Sequence, residues 1–136
     1  KSCFKKAQKD FSNSQILVLG ISYKADVKDI QLTPAEPIIK ILKDLNAQVK
    51  IYDPFFKNSE IFGIKTESDL ISSIKKSDAI LLLTNHKEFH DLDPIFLANN
   101  LRTPIVVDSR GVIDHYKAKN AGLIFRGLGI GDKNKP

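Results

Sequence analysis

This 136-residue sequence has a single cysteine and no long apolar segment. It also has no glycine-rich nucleotide-binding motif after its first apolar run. Its single cysteine, Cys3, excludes an internal disulfide framework and fits a reducing compartment. No apolar run approaches the roughly 20 residues that a membrane-spanning helix needs. The first residues are rich in lysine and no apolar segment follows them, so no signal peptide is expected. We therefore expect neither a membrane partner nor secretion.

The composition is otherwise that of an ordinary globular domain, with 42% hydrophobic and 27% charged residues. The net charge of +5 indicates either a solvated lysine-rich surface or attraction for an anionic partner such as a phosphate. A nucleic-acid partner is disfavoured because the lysines are scattered and no nucleic-acid-binding motif is present. His86, His90 and His115 show no zinc-like spacing with cysteine or glutamate, so no metal site is expected.

Apolar runs alternate with amphipathic segments along the chain. Strands are predicted at 16–21, 48–52, 79–83, 104–107 and 122–125, with a weak one at 63–66. Helices are predicted after residue 32, at 67–76, within 89–101 and at 115–120. This alternation predicts a Rossmann-like, doubly wound α/β fold: a mostly parallel sheet of five or six strands with helices on both faces.

One domain, residues 15–130, contains these strands. Residues 1–14 are predicted to be a short helix and linker, with Phe4, Ala7 and Phe11 on one stripe, and 131–136 a flexible tail. The N-terminal helix has no cap of its own, so we expect further chain upstream in the natural protein.

The helix after residue 32 has the clearest start signal. Thr33 is predicted to cap it, with Pro34 at the first helical position and Glu36 completing a capping box. Its buried stripe is predicted to be Ile38, Ile41, Leu42 and Leu45. Asn46 is expected to end the helix in the left-handed conformation.

The loops after the strands hold the candidate site residues. The carboxyl ends of parallel strands meet at one edge of an open sheet, and ligands bind there. If the strand order is 3-2-1-4-5-6, this edge gathers Ser22, Tyr23, Lys24, Asp53, Thr84, Asn85, His86, Asp108, Ser109 and Arg110. Lys24 supplies a point charge and Arg110 a bidentate fork, a pair suited to a diphosphate.

Several of these residues also have a purely structural interpretation. Lys24 is alternatively a solvent-exposed loop lysine, and Arg110 alternatively forms a salt bridge to Asp108 or another loop carboxylate. Asp26 and Asp29 are expected to order the loop by accepting hydrogen bonds from backbone N–H groups.

No catalytic residue is expected in this chain. His86 is predicted to be a loop or capping histidine, and Cys3 is predicted to lie far from the ligand edge. The first strand leads into Gly20-Ile21-Ser22 and not into Gly-x-Gly-x-x-Gly, so the turn that binds a dinucleotide pyrophosphate is missing.

The segment 20–29, Gly-Ile-Ser-Tyr-Lys-Ala-Asp-Val-Lys-Asp, followed by Thr-Pro-Ala at 33–35, resembles a family signature. That signature opens the C-terminal domain of the UDP-glucose/GDP-mannose dehydrogenases. Three later features agree in order and spacing: Val-Lys-Ile-Tyr-Asp-Pro at 49–54, Ser-Asp-Ala at 77–79 and Val-Asp-Ser-Arg at 107–110.

The resemblance covers about 15–130. Within it, Thr-Asn-His-Lys-Glu-Phe at 84–89 is similar to a motif more typical of the branch that oxidises N-acetylated UDP-hexosamines, such as UDP-N-acetylmannosamine.

The resemblance implies the substrate-nucleotide-binding domain of a cytoplasmic, NAD-dependent enzyme that oxidises the C6 alcohol of a UDP-sugar to a uronic acid. It implies that Tyr23 and Lys24 contact the substrate nucleotide or phosphates and that Arg110 reaches across the same cleft. An upstream NAD-binding domain and a central helical domain with the catalytic cysteine are implied as partners, in a homo-oligomer. These 136 residues alone are then expected to be inactive.

Two departures from the family pattern leave an alternative open. Gln31 stands where the family has an arginine near NAD, and Gly111 where it has an asparagine. The alternative is a non-enzymatic α/β interaction or oligomerisation module derived from this domain. A phosphate-binding receiver domain fits less well, because Asp26 and Asp29 lie too deep in the loop to be its paired acids.

Overall fold

A five-stranded parallel sheet forms the centre of the molecule, in a computed structural model that describes residues 12–22, 24–31 and 33–127. Its strands are β1 (Gln15–Leu19), β2 (Gln48–Tyr52), β5 (Ala79–Leu82), β6 (Ile105–Asp108) and β7 (Ile124–Gly127). Their order is β2-β1-β5-β6-β7, so the direction of winding reverses between β1 and β5. In open α/β sheets, ligands bind in the crevice beside such a reversal, at the carboxyl ends of the strands.

Helices cover both faces of this sheet. The helices are α1 (Ala35–Asp44), α2 (Leu70–Lys75), α3 (Pro94–Asn100) and α4 (His115–Asn120), with a 3-10 helix at Lys87–Asp91. Leu17 and Leu19 of β1 pack into the core formed with α2, α3 and α4, whereas Val18 packs against α1. This alternation along one strand confirms the predicted doubly wound α/β fold. In the part of the chain that the structure describes, no helix is long and apolar enough to cross a membrane.

The predicted strand at 63–66 does not join the main sheet. Instead β3 (Glu60–Ile61) and β4 (Ile64–Lys65) form a two-stranded antiparallel hairpin. Its turn residues, Phe62 and Gly63, have positive φ angles of 53° and 77°. Two consecutive positive φ angles are typical of the type I′ hairpin turn, so the chain reverses here and does not cross to a parallel position.

The start of α1 differs from the predicted capping box. Pro34 occupies the N-cap position and not the first helical position, and it supplies no side-chain cap. Thr33 Oγ1 accepts a hydrogen bond from the Ala35 N–H instead, at 3.3 Å, which closes a short turn before the helix.

The buried stripe of α1 also differs from the prediction. Ala35 and Ile39 are buried, whereas Ile41 is 57% and Leu45 36% exposed. The helix carries apolar residues on more than one face, and only one of these faces packs on Val18 and the neighbouring side chains. The prediction for the end of the helix is confirmed, because Asn46 has a φ angle of 68°.

The remaining elements agree with the predictions apart from their ends. Asp69 caps α2 and Asp93 caps α3, each accepting a backbone hydrogen bond from the first turn. The predicted helix at 67–76 therefore begins later, at Leu70. The N-terminal helix predicted within 1–14 and the tail predicted at 131–136 fall largely or wholly outside the described residues.

Candidate functional site

The loop between β1 and α1, residues 20–31 and here called the Lys24 loop, is anchored at its start by Asp53. This residue follows β2 directly and has no exposed surface. Its Oδ2 accepts hydrogen bonds from the N–H groups of Ile21 (2.8 Å) and Ser22 (3.2 Å), and from Ser22 Oγ (3.0 Å). Its Oδ1 accepts one from the Phe55 N–H at 2.9 Å. A buried carboxylate is tolerated only when it is satisfied in this way.

His86 connects the same carboxylate to a later point of the Lys24 loop. Its Nε2 lies 2.9 Å from Asp53 Oδ2, and its Nδ1 accepts a hydrogen bond from the Asp26 N–H at 2.8 Å. Because Nδ1 accepts, we place the ring proton on Nε2, which donates to Asp53. The ring is fully buried and packs against Phe55 and Phe89.

Two further hydrogen bonds join the Lys24 loop to the loop after β5. Thr84 Oγ1 donates to the Ser22 carbonyl at 3.0 Å, and Asp26 Oδ1 accepts from the Lys87 N–H at 2.9 Å. Lys24 itself is exposed. It therefore lies in a loop that is held on both sides, at Ser22 and at Asp26.

The predicted role of the two loop aspartates is confirmed. Asp26 accepts the backbone hydrogen bond just described, and Asp29 Oδ1 accepts one from the Gln31 N–H at 2.9 Å. Both side chains order the backbone, as short acidic side chains in turns commonly do.

A close approach between strand ends fixes the start of the Lys24 loop. Gly20 has a φ angle of 90°, and a Cβ atom built there would lie 2.5 Å from Thr84 Cβ. A larger residue therefore meets both backbone strain and a clash at this position. Because glycine has no side chain, the start of the Lys24 loop can pass close to Thr84, just after the end of β5.

The surroundings of Asp53 favour its charged form. Burial acts to raise the pKa of Asp53, but the hydrogen bonds from His86, Ile21 and Phe55 outweigh burial and hold this pKa below its usual value. The carboxylate is therefore ionised at neutral pH and serves as an acceptor for the Lys24 loop.

Tyr52 provides a second link between the end of β2 and the loop after β5. Its hydroxyl donates to Glu88 Oε1 at 2.7 Å. Burial, together with this hydrogen bond to the Glu88 carboxylate, raises the pKa of Tyr52 well above its usual value. The phenol is thus protonated at neutral pH and remains a donor.

Arg110 follows β6 in a turn that Asp108 organises. Asp108 Oδ1 accepts from the Arg110 N–H at 3.0 Å, and Oδ2 accepts from the Ile113 N–H at 2.7 Å. Both carboxylate oxygens of Asp108 thus accept hydrogen bonds from the backbone. The described residues contain no ion pair between this carboxylate and the Arg110 guanidinium. The Arg110 side chain is exposed.

The structure brings two of the three predicted binding residues to the same edge of the sheet. Lys24 follows β1 and Arg110 follows β6, with β5 between these strands. Tyr23, the third, lies outside the described residues. Within the described ranges no group of three His, Cys, Asp or Glu side chains could hold a metal ion.

The two departures from the family pattern differ in their structural consequences. Gly111 has a φ angle of 72°, in the left-handed region that glycine and asparagine adopt most readily. Its presence in place of asparagine thus suits the backbone and removes only a carboxamide. Gln31 is exposed, and its side chain has no assigned partner among the residues that the structure describes.

The sequence that carries these loops is similar to known proteins. Residues 17–115 match the profile of the UDP-glucose/GDP-mannose dehydrogenase family, UDP binding domain. The chain belongs to this family. It is 31% identical over 121 residues to a UDP-N-acetyl-D-mannosamine dehydrogenase of Pyrococcus horikoshii, covering 89% of this chain and 27% of that protein. It is 36% identical over 129 residues to a UDP-glucose 6-dehydrogenase of Rickettsia bellii, covering 91% of this chain and 29% of that protein.

Solved structures of the family share the fold. A structure of the UDP-D-ManNAc dehydrogenase from Pyrococcus horikoshii superposes with a TM-score of 0.81 at 30% identity, covering 96% of this chain and 29% of that one. An NDP-N-acetyl-D-galactosaminuronic acid dehydrogenase from Methanosarcina mazei superposes with a TM-score of 0.85 at 23% identity, covering 94% and 27%. The chain therefore spans less than a third of the length of these family members.

Sequence reasoning placed Asp53 and His86 at this edge but missed their contact. The two residues are 33 positions apart, and each has an ordinary local explanation as an Asp-Pro turn residue and a loop histidine. One feature of the sequence could have predicted the contact: each residue follows a strand that borders β1. Residues at two such positions can meet across the Lys24 loop, which follows β1.

Proposed function

We propose that this family domain binds the uridine diphosphate part of a UDP-sugar at the carboxyl edge of its sheet. In the complete protein it would serve as the substrate-nucleotide-binding domain of an NAD-dependent UDP-sugar 6-dehydrogenase. The observation that carries the proposal is the family match over residues 17–115, which includes the loops of both Lys24 and Arg110.

The chemistry of the two cations supports this assignment. A diphosphate offers several anionic oxygens, for which a lysine supplies a compact charge and an arginine a planar fork. Lys24 and Arg110 are exposed on loops that follow β1 and β6, on either side of the strand β5. Tyr23 is proposed to contact the nucleotide next to Lys24. No catalytic residue is assigned to this chain.

The other parts of the reaction are proposed to come from elsewhere in the complete protein. A separate domain would bind NAD, a central helical domain would supply the catalytic cysteine, and the enzyme would be a cytoplasmic homo-oligomer. The relatives include enzymes named for UDP-N-acetyl-D-mannosamine and for UDP-glucose, and we propose one of these two sugars as the substrate. The motif Thr-Asn-His-Lys-Glu-Phe at 84–89 favours the N-acetylated hexosamine.

Titration followed by amide NMR tests the proposal. UDP, UDP-glucose and UDP-N-acetylmannosamine are added to the labelled chain. We expect shifts at 22–29, 84–88 and 108–112 and a dissociation constant of about 1 mM, equivalent to about 4 kcal/mol, because only part of the site is present. A preference between the two sugars would identify the branch.

Charge-matched variants show whether binding is specific. Lys24→Ala combined with Arg110→Ala should abolish the shifts. Lys43→Ala combined with Lys119→Ala removes the same two charges at the opposite edge, where α1 and α4 lead into β2 and β7, and should leave the shifts unchanged. Absence of shifts in the unmodified chain at about 10 mM ligand, or shifts that survive the double substitution, would contradict the proposal.

A second candidate is the interaction or oligomerisation module. One observation favours it: three neighbouring helices, α2, α3 and α4, expose Ile71 (44%), Ile95 (61%) and Tyr116 (78%). Under this hypothesis, Tyr116→Ser should shift the sedimentation of the chain from a dimer to a monomer. Substituting Lys24 and Arg110 should then leave association untouched.

A further inference from the structure

We propose that His86 is a positioning residue for UDP, because its ring ties the Lys24 loop to Asp53 and so determines where the lysine lies. This inference rests on the proposed function, since it concerns how the same site is held in shape.

Lys24 has one anchor on each side. On the N-terminal side, the Ser22 N–H and Oγ donate to Asp53, at 3.2 and 3.0 Å. On the C-terminal side, the Asp26 N–H donates to His86 Nδ1 at 2.8 Å. The same His86 ring contacts Asp53 at 2.9 Å through Nε2. One carboxylate therefore holds the first anchor directly and the second through the histidine.

Packing alone does not hold this part of the loop. Residues 24–29 are all exposed or partly exposed, so they bury little apolar surface. Asp26 also has a φ angle of 58°, which is uncommon for a residue other than glycine and needs support from its surroundings. Its N–H donates a hydrogen bond to His86, and its carboxylate accepts one from the Lys87 N–H. Hydrogen bonds therefore determine the path of the chain after Lys24.

The position of His86 argues against direct contact with a ligand. Its ring has no exposed surface, and both nitrogens have protein partners. It packs against Phe55 and Phe89, whose ring centroids lie 5.1 and 5.6 Å from that of His86. Such a residue acts on a bound phosphate only through the loop that it holds.

Two amide substitutions separate the two bonds of His86. In His86→Asn the side-chain oxygen takes the place of Nδ1 and can still accept from Asp26, but the bond to Asp53 is lost. In His86→Gln the side-chain nitrogen takes the place of Nε2 and can still donate to Asp53, but the bond to Asp26 is lost. We expect His86→Gln to weaken UDP binding about fivefold, and His86→Asn to change it less than about twofold.

A destabilised control excludes a purely structural explanation. Leu97 is fully buried in α3 and has no part in the site, so Leu97→Ala lowers stability without disturbing the Lys24 loop. We expect its folded fraction to bind UDP as the unmodified chain does. A UDP affinity of folded His86→Gln equal to that of the unmodified chain would overturn the positioning role.

The unmodified chain provides a test if the His86 variants do not fold. Nitrogen shifts of the ring should report a proton on Nε2 and a hydrogen-bonded acceptor at Nδ1. The Asp26 amide should exchange slowly with solvent and more slowly with UDP bound; fast exchange in both states would overturn the inference. Failure of the unmodified chain to bind UDP would instead contradict the proposed function, which separates the two claims.

Discussion

At the scale of single residues, Asp53 is expected to matter most for folding. Asp53→Asn places an amide N–H₂ or a single neutral oxygen where the charged oxygens accept bonds from Ile21, Ser22 and His86. We expect a loss of about 3 kcal/mol in the free energy of unfolding, because buried donors are left unpaired. Urea denaturation at neutral pH measures it. An Asn variant as stable as the unmodified chain would show that the carboxylate is dispensable.

Asp53 also makes stability depend on pH. Its pKa is lowered in the folded chain relative to the unfolded chain, so the folded state favours the ionised carboxylate. The stabilisation is fully present above the unfolded pKa, near 3.9, and is lost as the pH falls through the lower folded pKa. Denaturation midpoints between about pH 5 and 2 should fall more steeply for the unmodified chain than for Asp53→Asn. Parallel curves for the two proteins would contradict this expectation.

At the scale of elements, the end of β1 is expected to tolerate no side chain. Gly20→Ala adds both left-handed strain and a Cβ at 2.5 Å from Thr84 Cβ, and should cost about 3 kcal/mol. Gly122→Ala is the matched control, because its φ angle of 94° is similar but nothing lies within 4 Å. It should cost about 1 kcal/mol, the strain alone. Equal losses in urea denaturation would mean that the contact with Thr84 relaxes freely.

Helix α1 offers a pair of isoleucines two positions apart with opposite environments. Ile39 is 1% exposed and Ile41 is 57% exposed. Ile39→Ala should therefore cost about 3 kcal/mol of unfolding free energy, through lost burial and a cavity, and Ile41→Ala less than about 0.5 kcal/mol. Thermal or urea denaturation distinguishes them. The reverse ranking would restore the stripe predicted from the sequence.

Helix α1 also shows where sequence reasoning reaches its limit. The strands β1 and β5 were predictable because continuous aliphatic runs report burial on both faces directly. The apolar positions of α1, in contrast, include Ile39, Ile41 and Leu45 on different sides of the helix, and only packing on the sheet selects among them. The hairpin β3–β4 was missed for a similar reason, since its turn depends on a positive φ angle at Phe62, which composition does not signal.

At the scale of the whole molecule, topology predicted which strand ends meet at one edge of the sheet but not the side-chain contacts between them. The parallel sheet brings the ends of β1, β2 and β5 to one edge, and this follows from the alternation of strands and helices. The bonds from Asp53 to His86 and from His86 to the Lys24 loop depend on side-chain geometry across three loops. Such contacts join residues far apart in sequence, where no periodicity relates them.

The chain alone is expected to lack dehydrogenase activity. Its first strand leads into Gly20-Ile21-Ser22, without the glycine-rich turn that binds a dinucleotide pyrophosphate. Oxidation of a sugar alcohol by hydride transfer requires NAD as the hydride acceptor, and we propose that a separate domain binds it. Incubation with NAD and either UDP-glucose or UDP-N-acetylmannosamine should produce no NADH absorbance, whereas a full-length relative under the same conditions should. Turnover by these 136 residues would require an NAD site within them and would contradict the proposed division of labour among domains.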